Sequence, residues 1–145
     1  MNEKKRRRRT PRIKILFVCT GNTCRSPMAE FIFKDYLRRH KLATRFAVSS
    51  AGIHAEVGSP MSVNSALALK SLHIRFSPHY ARQLTLKDAE GADLIVCMTA
   101  AHKRAIGTSP KLVTVAELTD GEEVVDPYGG DELTYRKCAE HLRYA

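Results

Sequence analysis

Cys19 and Arg25 are separated by five small or polar residues, Thr20, Gly21, Asn22, Thr23 and Cys24, and are followed at once by Ser26 and Pro27. A turn of this composition can aim consecutive backbone N–H groups inward and so form a nest for an oxyanion. A helix opening near Ser26 adds free N–H groups and the positive end of its dipole. The planar fork of Arg25 can grip two phosphate oxygens. The same positive field favours a thiolate at Cys19, the nucleophilic form of the side chain. One loop can therefore bind a phosphoryl group and present its attacker. Sulfur attack on phosphorus leaves two tasks, protonating the leaving atom and then activating water, and a single carboxylic acid can do both in turn. Asp126, in the run Asp126-Pro127-Tyr128-Gly129-Gly130, is the candidate. Taken alone, Asp-Pro marks an ordinary turn, and a Cys and an Arg at this spacing are common. The surrounding elements give the pair its meaning.

Residues 13–18 (IKILFV) form a short, nearly continuous β-rich run, the pattern of a central parallel strand covered on both faces. Pro27 suits the first turn of a helix that the pattern carries to about Lys41. Met28, Phe31, Ile32, Tyr36 and Leu37 make its apolar face, with Glu30, Lys34 and Arg38 opposite. Residues 45–50 predict a second strand, ended by Ala51-Gly52, and residues 53–61 a loop. A helix is expected over 62–72 with Val63, Ala66, Leu67 and the stem of Lys70 inward. Residues 73–83 are irregular, and Thr85 with Asp88 carries a helix-start signature. Strands over 93–98 and 111–115 flank a short helix over 100–106. A closing helix over 132–144 offers Leu133, Cys138 and Leu142 to the core. Strands alternating with helices predict an α/β fold: a single-domain three-layer sandwich, with a central parallel four-stranded sheet and helices on both faces. Ligands of such sheets bind beyond the carboxyl ends of the strands, where Cys19 falls.

At 145 residues, with 43% apolar and 27% charged side chains, the chain has the composition of one globular domain. No run of about 18 apolar residues is present to span a membrane, and no signal-peptide core follows the basic N-terminus. Cys19, Cys24, Cys97 and Cys138 do not suggest a disulfide framework, which points to a reducing, cytoplasmic setting. The formal charge of +9 is unevenly held. Lys4, Lys5, Arg6, Arg7, Arg8, Arg9, Arg12 and Lys14 against Glu3 place +7 in the first 14 residues, leaving +2 for the rest. Residues 1–11 are therefore expected to be a disordered basic tail ahead of a domain over 12–145. The tail either contacts nucleic acid or another polyanion, or is a solvated arm; no aromatic interleaving supports base stacking.

Four motifs now acquire a common context: VCTGNTCRSPMAE from Val18, SSAG from Ser49, HYARQ from His79 and DPYGG from Asp126. In this order, across nearly all of residues 13–145, they resemble the low-molecular-weight protein tyrosine phosphatase superfamily. The resemblance implies a metal- and cofactor-independent phosphatase of protein substrates; the competing class is a non-catalytic phosphate- or polyanion-binding module that keeps the fold. By position, Cys19 is the nucleophile that forms a cysteinyl-phosphate, and Arg25 with the amides of residues 20–24 stabilises the transferring phosphoryl group. Ser26 hydrogen-bonds the thiolate, and Asp126 is general acid and then base. Asn22, Ser50 and His79 match a buried network that keeps the loop's shape. Thr23, where tyrosine phosphatases of this kind carry a larger aliphatic residue, is similar to bacterial protein-arginine phosphatases, so phosphoarginine is the expected substrate and phosphotyrosine the alternative. Tyr128, a pocket wall in either case, is more usual in the tyrosine-specific members. Arsenate reductases share the fold but need a relay pair of cysteines, and residues 98–110 contain none. Cys97 and Cys138 are expected to be packing residues. Cys24 shares the loop with Cys19 and is the candidate redox partner under oxidative stress.

Overall fold

The computed structural model describes residues 11–119 and 121–144, with the Tyr144 side chain left aside. The basic tail expected over residues 1–11 lies outside the described residues, apart from an exposed Pro11. Four strands, β1 (Ile13–Cys19), β2 (Phe46–Gly52), β3 (Leu94–Cys97) and β4 (Leu112–Thr114), form one parallel sheet in the order β2-β1-β3-β4. Around it lie α1 (Arg25–Arg39), α2 (Val63–Ser71), α3 (Leu86–Gly91), α4 (Ala100–Ile106), α5 (Val115–Thr119) and α6 (Glu132–Tyr144). No helix among the described residues is long and apolar enough to cross a membrane.

The pleat of β1 divides the core in two. Ile15, Phe17 and Cys19 face one side, where Met28, Phe31 and Ile32 of α1, Ala68 and Leu69 of α2, and Tyr135, Cys138 and Leu142 of α6 pack. Leu16 and Val18 face the other, with Ile95, Cys97 and Leu112 from the neighbouring strands and Ala89 and Ile106 from α3 and α4. This is the expected three-layer sandwich. The strand β1 is covered on both faces, which explains its nearly unbroken apolar run. It pairs with β2 from Cys19 opposite Gly52 and with β3 from Val18 opposite Cys97, so all three strands end at one level. From β1 the chain first crosses to β2 and then returns past β1 to β3. That reversal of direction opens a crevice at the carboxyl end of β1.

Three helical faces differ from expectation. On α1, Tyr36 is 51% exposed while Glu30 is only 7% exposed. Glu30 is buried because its carboxylate is fully engaged, receiving Ser50 Oγ and Lys34 Nζ, each at 2.6 Å. On α2 the buried stripe is Ser65, Ala68 and Leu69, whereas Val63 is 74% exposed and Leu67 also faces outward. Two interleaved stripes are nearly equal in apolarity there. Ser65 hides the true one by being polar, a feature its hydrogen bond from Ser62 Oγ at 2.7 Å accommodates. On α6, Tyr135, Cys138, Ala139 and Leu142 are buried at helical spacing, and Leu133 is 54% exposed on the opposite side. Other boundaries lie within a few residues of the pattern. Thr85 and Asp88 form a reciprocal capping box at the start of α3.

Candidate active site

Residues 20–24 join β1 to α1, and the loop keeps its shape through Asn22. Its backbone is left-handed, at φ 59°, a conformation asparagine tolerates better than most residues. The side-chain oxygen accepts from the Arg82 N–H at 3.0 Å, which fixes the orientation of the amide. The amide nitrogen therefore donates both protons, to Ser26 Oγ and to Ser50 Oγ, each at 2.9 Å. His79 Nε2 donates to the Asn22 carbonyl at 2.9 Å. The structure thus joins Asn22, Ser50 and His79 in one network.

This network has a direction. Ser50 accepts from Asn22, so its own proton goes to Glu30 Oε1. Ser26 likewise accepts from Asn22, so its hydroxyl proton is available to Cys19 Sγ, 2.8 Å away. The backbone N–H of Asn22 is also aimed at that sulfur, at 3.3 Å. Cys19 is therefore held at the end of β1 among donors, the setting a thiolate requires.

Arg25 begins α1 and is almost wholly buried. Its NH1 donates to the Val124 carbonyl at 3.1 Å, and its NH2 donates to Thr20 Oγ1 at 3.4 Å. Asp126 Oδ2 lies 3.6 Å from the same NH2. The segment that carries Asp126 is fastened to the β3 end of the sheet. Val124 N donates to the Met98 carbonyl at 3.1 Å, and Glu123 Oε1 accepts from the N–H of Ala100, the first residue of α4, at 2.7 Å. Asp126 Oδ1 accepts from the Tyr128 N–H at 3.0 Å, which turns the chain and leaves Oδ2 toward Arg25.

Together these groups surround a cleft of about 320 Å³. Its lining includes Cys19, Thr20, Gly21, Thr23, Cys24 and Arg25 from the loop, and Asp126 and Tyr128 from the segment before α6. The structure brings the sequence-predicted site residues either into this cleft or into the network behind it. Cys24 Sγ lies 3.4 Å from the Tyr135 hydroxyl and 3.7 Å from Ser62 Oγ. Burial, aided by that contact with Cys24, pushes the Tyr135 phenol up to about 12. Cys97 and Cys138 sit in the core, where burial pushes each thiol to about 12, as suits packing residues. The arrangement supplies a sulfur, a guanidinium and a carboxyl around one small space, with a loop and a helix N-terminus at its floor.

Sequence reasoning missed several participants. The charge pattern predicts Glu30 on the solvent face, although its place four residues after Ser26 puts both on the same side of α1. His102 carried no motif, yet its Nε2 lies 2.8 Å from Thr20 Oγ1. His54, Glu56 and Ser59 from the loop after β2 also line the cleft, and composition alone marked them only as loop residues.

Comparison with known proteins agrees with this geometry. The family model of low molecular weight phosphotyrosine protein phosphatase matches residues 14–145. The protein-arginine-phosphatase of Bacillus subtilis (strain 168) is 38% identical over 135 residues, 88% of this chain and 88% of its own. The low molecular weight protein-tyrosine-phosphatase PtpB of Staphylococcus haemolyticus is 37% identical over 138 residues, 91% of this chain and 94% of its own. Among solved structures, the YwlE arginine phosphatase, in a cysteine-to-serine variant with a phosphorylated active-site serine, matches with a TM-score of 0.81 and 37% identity. That match covers 90% of this chain and 89% of the other. Matched along nearly its whole domain, the chain is a protein phosphatase and belongs to the low molecular weight phosphotyrosine protein phosphatase family.

Proposed function

We propose that the protein hydrolyses phosphoarginine in proteins by two-step phosphoryl transfer through Cys19. The observation that carries the mechanism is the convergence of Cys19, Arg25 and Asp126 on one cleft, with Arg25 NH2 between Thr20 Oγ1 and Asp126 Oδ2. In the first step the Cys19 thiolate attacks phosphorus and the P–N bond breaks. Asp126, entering as the acid, gives its proton to the leaving guanidine nitrogen. Arg25 and the loop amides hold the phosphoryl oxygens through the transition state. In the second step the Asp126 carboxylate takes a proton from water, whose oxygen attacks phosphorus. The S–P bond then breaks, the Ser26 hydroxyl steadies the returning thiolate, and inorganic phosphate leaves.

The substrate assignment rests on Thr23. A hydroxyl in place of a branched aliphatic group changes both the width of the pocket and its hydrogen bonding around a polar P–N linkage. Asp126 can also pair with the guanidinium it protonates. The arginine phosphatase among the relatives supports this choice. Hydrolysis of phosphotyrosine is the second reading, favoured by Tyr128 at the cleft and by the tyrosine-phosphatase name of the Staphylococcus haemolyticus relative. With this function belong a reducing, cytoplasmic setting and a protective role for Cys24. Once peroxide has converted Cys19 to a sulfenic acid, the Cys24 thiol condenses with it, releasing water and forming a disulfide.

Catalytic efficiency on phosphoarginine and phosphotyrosine peptides, for wild type and Thr23→Ile, tests the substrate. The expected outcome is a wild-type preference for phosphoarginine that moves toward phosphotyrosine in the variant. A wild type that favours phosphotyrosine overturns the assignment. Cys19→Ser is expected to abolish turnover on both peptides while retaining part of the affinity for phosphate.

A further inference from the structure

His102 is 4% exposed, comes from α4 and lies far from the loop in sequence, yet it is the side chain that touches Thr20 from behind. We propose that His102 is a positioning residue which, by fixing the Thr20 hydroxyl, holds the Arg25 guanidinium in register with the bound phosphoryl group. The proposal rests on the reading above that Arg25 grips that group.

Arg25 has only donors to offer, so its 3.4 Å contact with Thr20 requires the hydroxyl oxygen as acceptor. That contact is long, and a freely turning hydroxyl would not provide a fixed acceptor. The shorter 2.8 Å bond to His102 Nε2 supplies the constraint. The imidazole is itself pinned, because Thr99 Oγ1 lies 3.1 Å from its Nδ1 and also accepts the His102 backbone N–H at 3.3 Å. Thr99 is the N-cap of α4, so the first turn of that helix is the rigid base of the chain. At the other nitrogen, Arg25 NH1 is held by the Val124 carbonyl. Both ends of the guanidinium are thereby anchored, NH2 by Thr20 with His102 behind it and NH1 by the segment that precedes α6. Burial, together with the charge of Arg25, brings His102 down to about 4, so the ring stays uncharged near neutrality and does not repel the guanidinium. A neutral imidazole that faces a hydroxyl and does not itself line the cleft suits holding rather than proton transfer.

The test measures kcat and KM on p-nitrophenyl phosphate, inhibition by inorganic phosphate, and melting temperature. The variants are His102→Leu, His102→Gln, Thr20→Val and the double variant His102→Leu/Thr20→Val. His102→Leu is expected to lower kcat roughly 10- to 100-fold, the scale of a small misplacement of a catalytic group, and to weaken phosphate inhibition. His102→Gln, whose amide can reach Thr20, should recover most of that loss. The double variant should be no worse than the poorer single variant, since both break one chain. A folded His102→Leu with wild-type kcat and phosphate inhibition overturns the proposal, as do fully additive losses in the double variant. If His102→Leu does not fold, Thr20→Val decides the matter alone, and wild-type kinetics there overturn the proposal equally. A wild type without turnover, with Cys19 reduced, removes the phosphatase reading and the inference with it; an active wild type with an indifferent His102 removes only the inference.

Discussion

Asn22 gives away both amide protons because its oxygen is already occupied by the Arg82 N–H, and the two serines it reaches have no choice about where their own protons go. Through Ser50 the chain ends on the Glu30 carboxylate, and through Ser26 it ends on the Cys19 sulfur. One side chain thus links the buried Glu30 carboxylate to the Cys19 sulfur, while its backbone occupies the left-handed region at φ 59°. Replacing it separates the two functions. Asn22→Ala loses the side-chain hydrogen bonds and also strains the turn, whereas Asn22→Gly loses only the hydrogen bonds. Turnover should fall by a similar large factor in both variants. Asn22→Gly should be the more stable by about 1 kcal/mol, the cost of a left-handed backbone for a residue with a Cβ. Chemical denaturation alongside steady-state kinetics checks this, and an Asn22→Gly enzyme with wild-type kcat would show that the donors are not needed. At this scale the sequence was most legible where a residue has few other uses, such as Cys19 and Arg25 flanking a glycine-containing loop. It was least legible where the same residue type is common on surfaces. Glu30 and His102 look like any helical Glu and His until their partners, Ser50 and Thr20, are brought from distant segments.

Between elements, the end of β2 sets the height of the loop after β1. Gly52 lies opposite Cys19 in the register, and a Cβ there would come within 2.5 Å of the Thr20 carbonyl oxygen and 3.1 Å of the Asn22 nitrogen. Both obstacles are backbone, so neither can swing aside. The Gly52 N–H donates to the Arg82 carbonyl and its own carbonyl accepts from Leu84 N, which holds the strand end from the other side. Gly52→Ala must therefore push the loop rather than the strand. Overpacking of this kind costs about 1–3 kcal/mol, and the displaced amides should weaken phosphate inhibition as well as kcat. A variant with unchanged phosphate affinity would show that the loop yields without consequence. The sequence identified the strand and its ending but not this contact, because a strand-terminal glycine is equally consistent with a simple turn. Helix faces depart from the sequence pattern for a related reason. Periodicity reports apolarity, and on α2 the buried position Ser65 is polar while the exposed Val63 is not.

For the whole molecule, the parallel order β2-β1-β3-β4 explains why one crevice collects all the chemistry. The switch point lies at the end of β1, and the β1, β2 and β3 ends that frame it bring the loop, Gly52 and the tethered Asp126 segment to one edge. This much could be anticipated from alternating patterns, since right-handed crossovers leave few ways to arrange four short strands. Charge is distributed on a different plan. The site residues named above lie between Cys19 and Tyr135, whereas most of the net charge is carried by the first 14 residues. Removing residues 2–11 takes away six basic side chains and one acidic one, lowering the formal charge from +9 to +4. Turnover of p-nitrophenyl phosphate should be unchanged, because no group in the cleft is lost. A contact of the tail with DNA, as opposed to a merely solvated arm, is a separate proposal that the same pair of proteins tests. Six cations that neutralise phosphates release about as many counterions, giving a log–log salt slope near −5 for duplex DNA. The shortened chain should lose both the affinity and the slope, as followed by fluorescence anisotropy across a salt series. Equal DNA affinity with and without the segment would instead place any polyanion contact on the domain, and competition by inorganic phosphate would then show whether that contact is at the cleft.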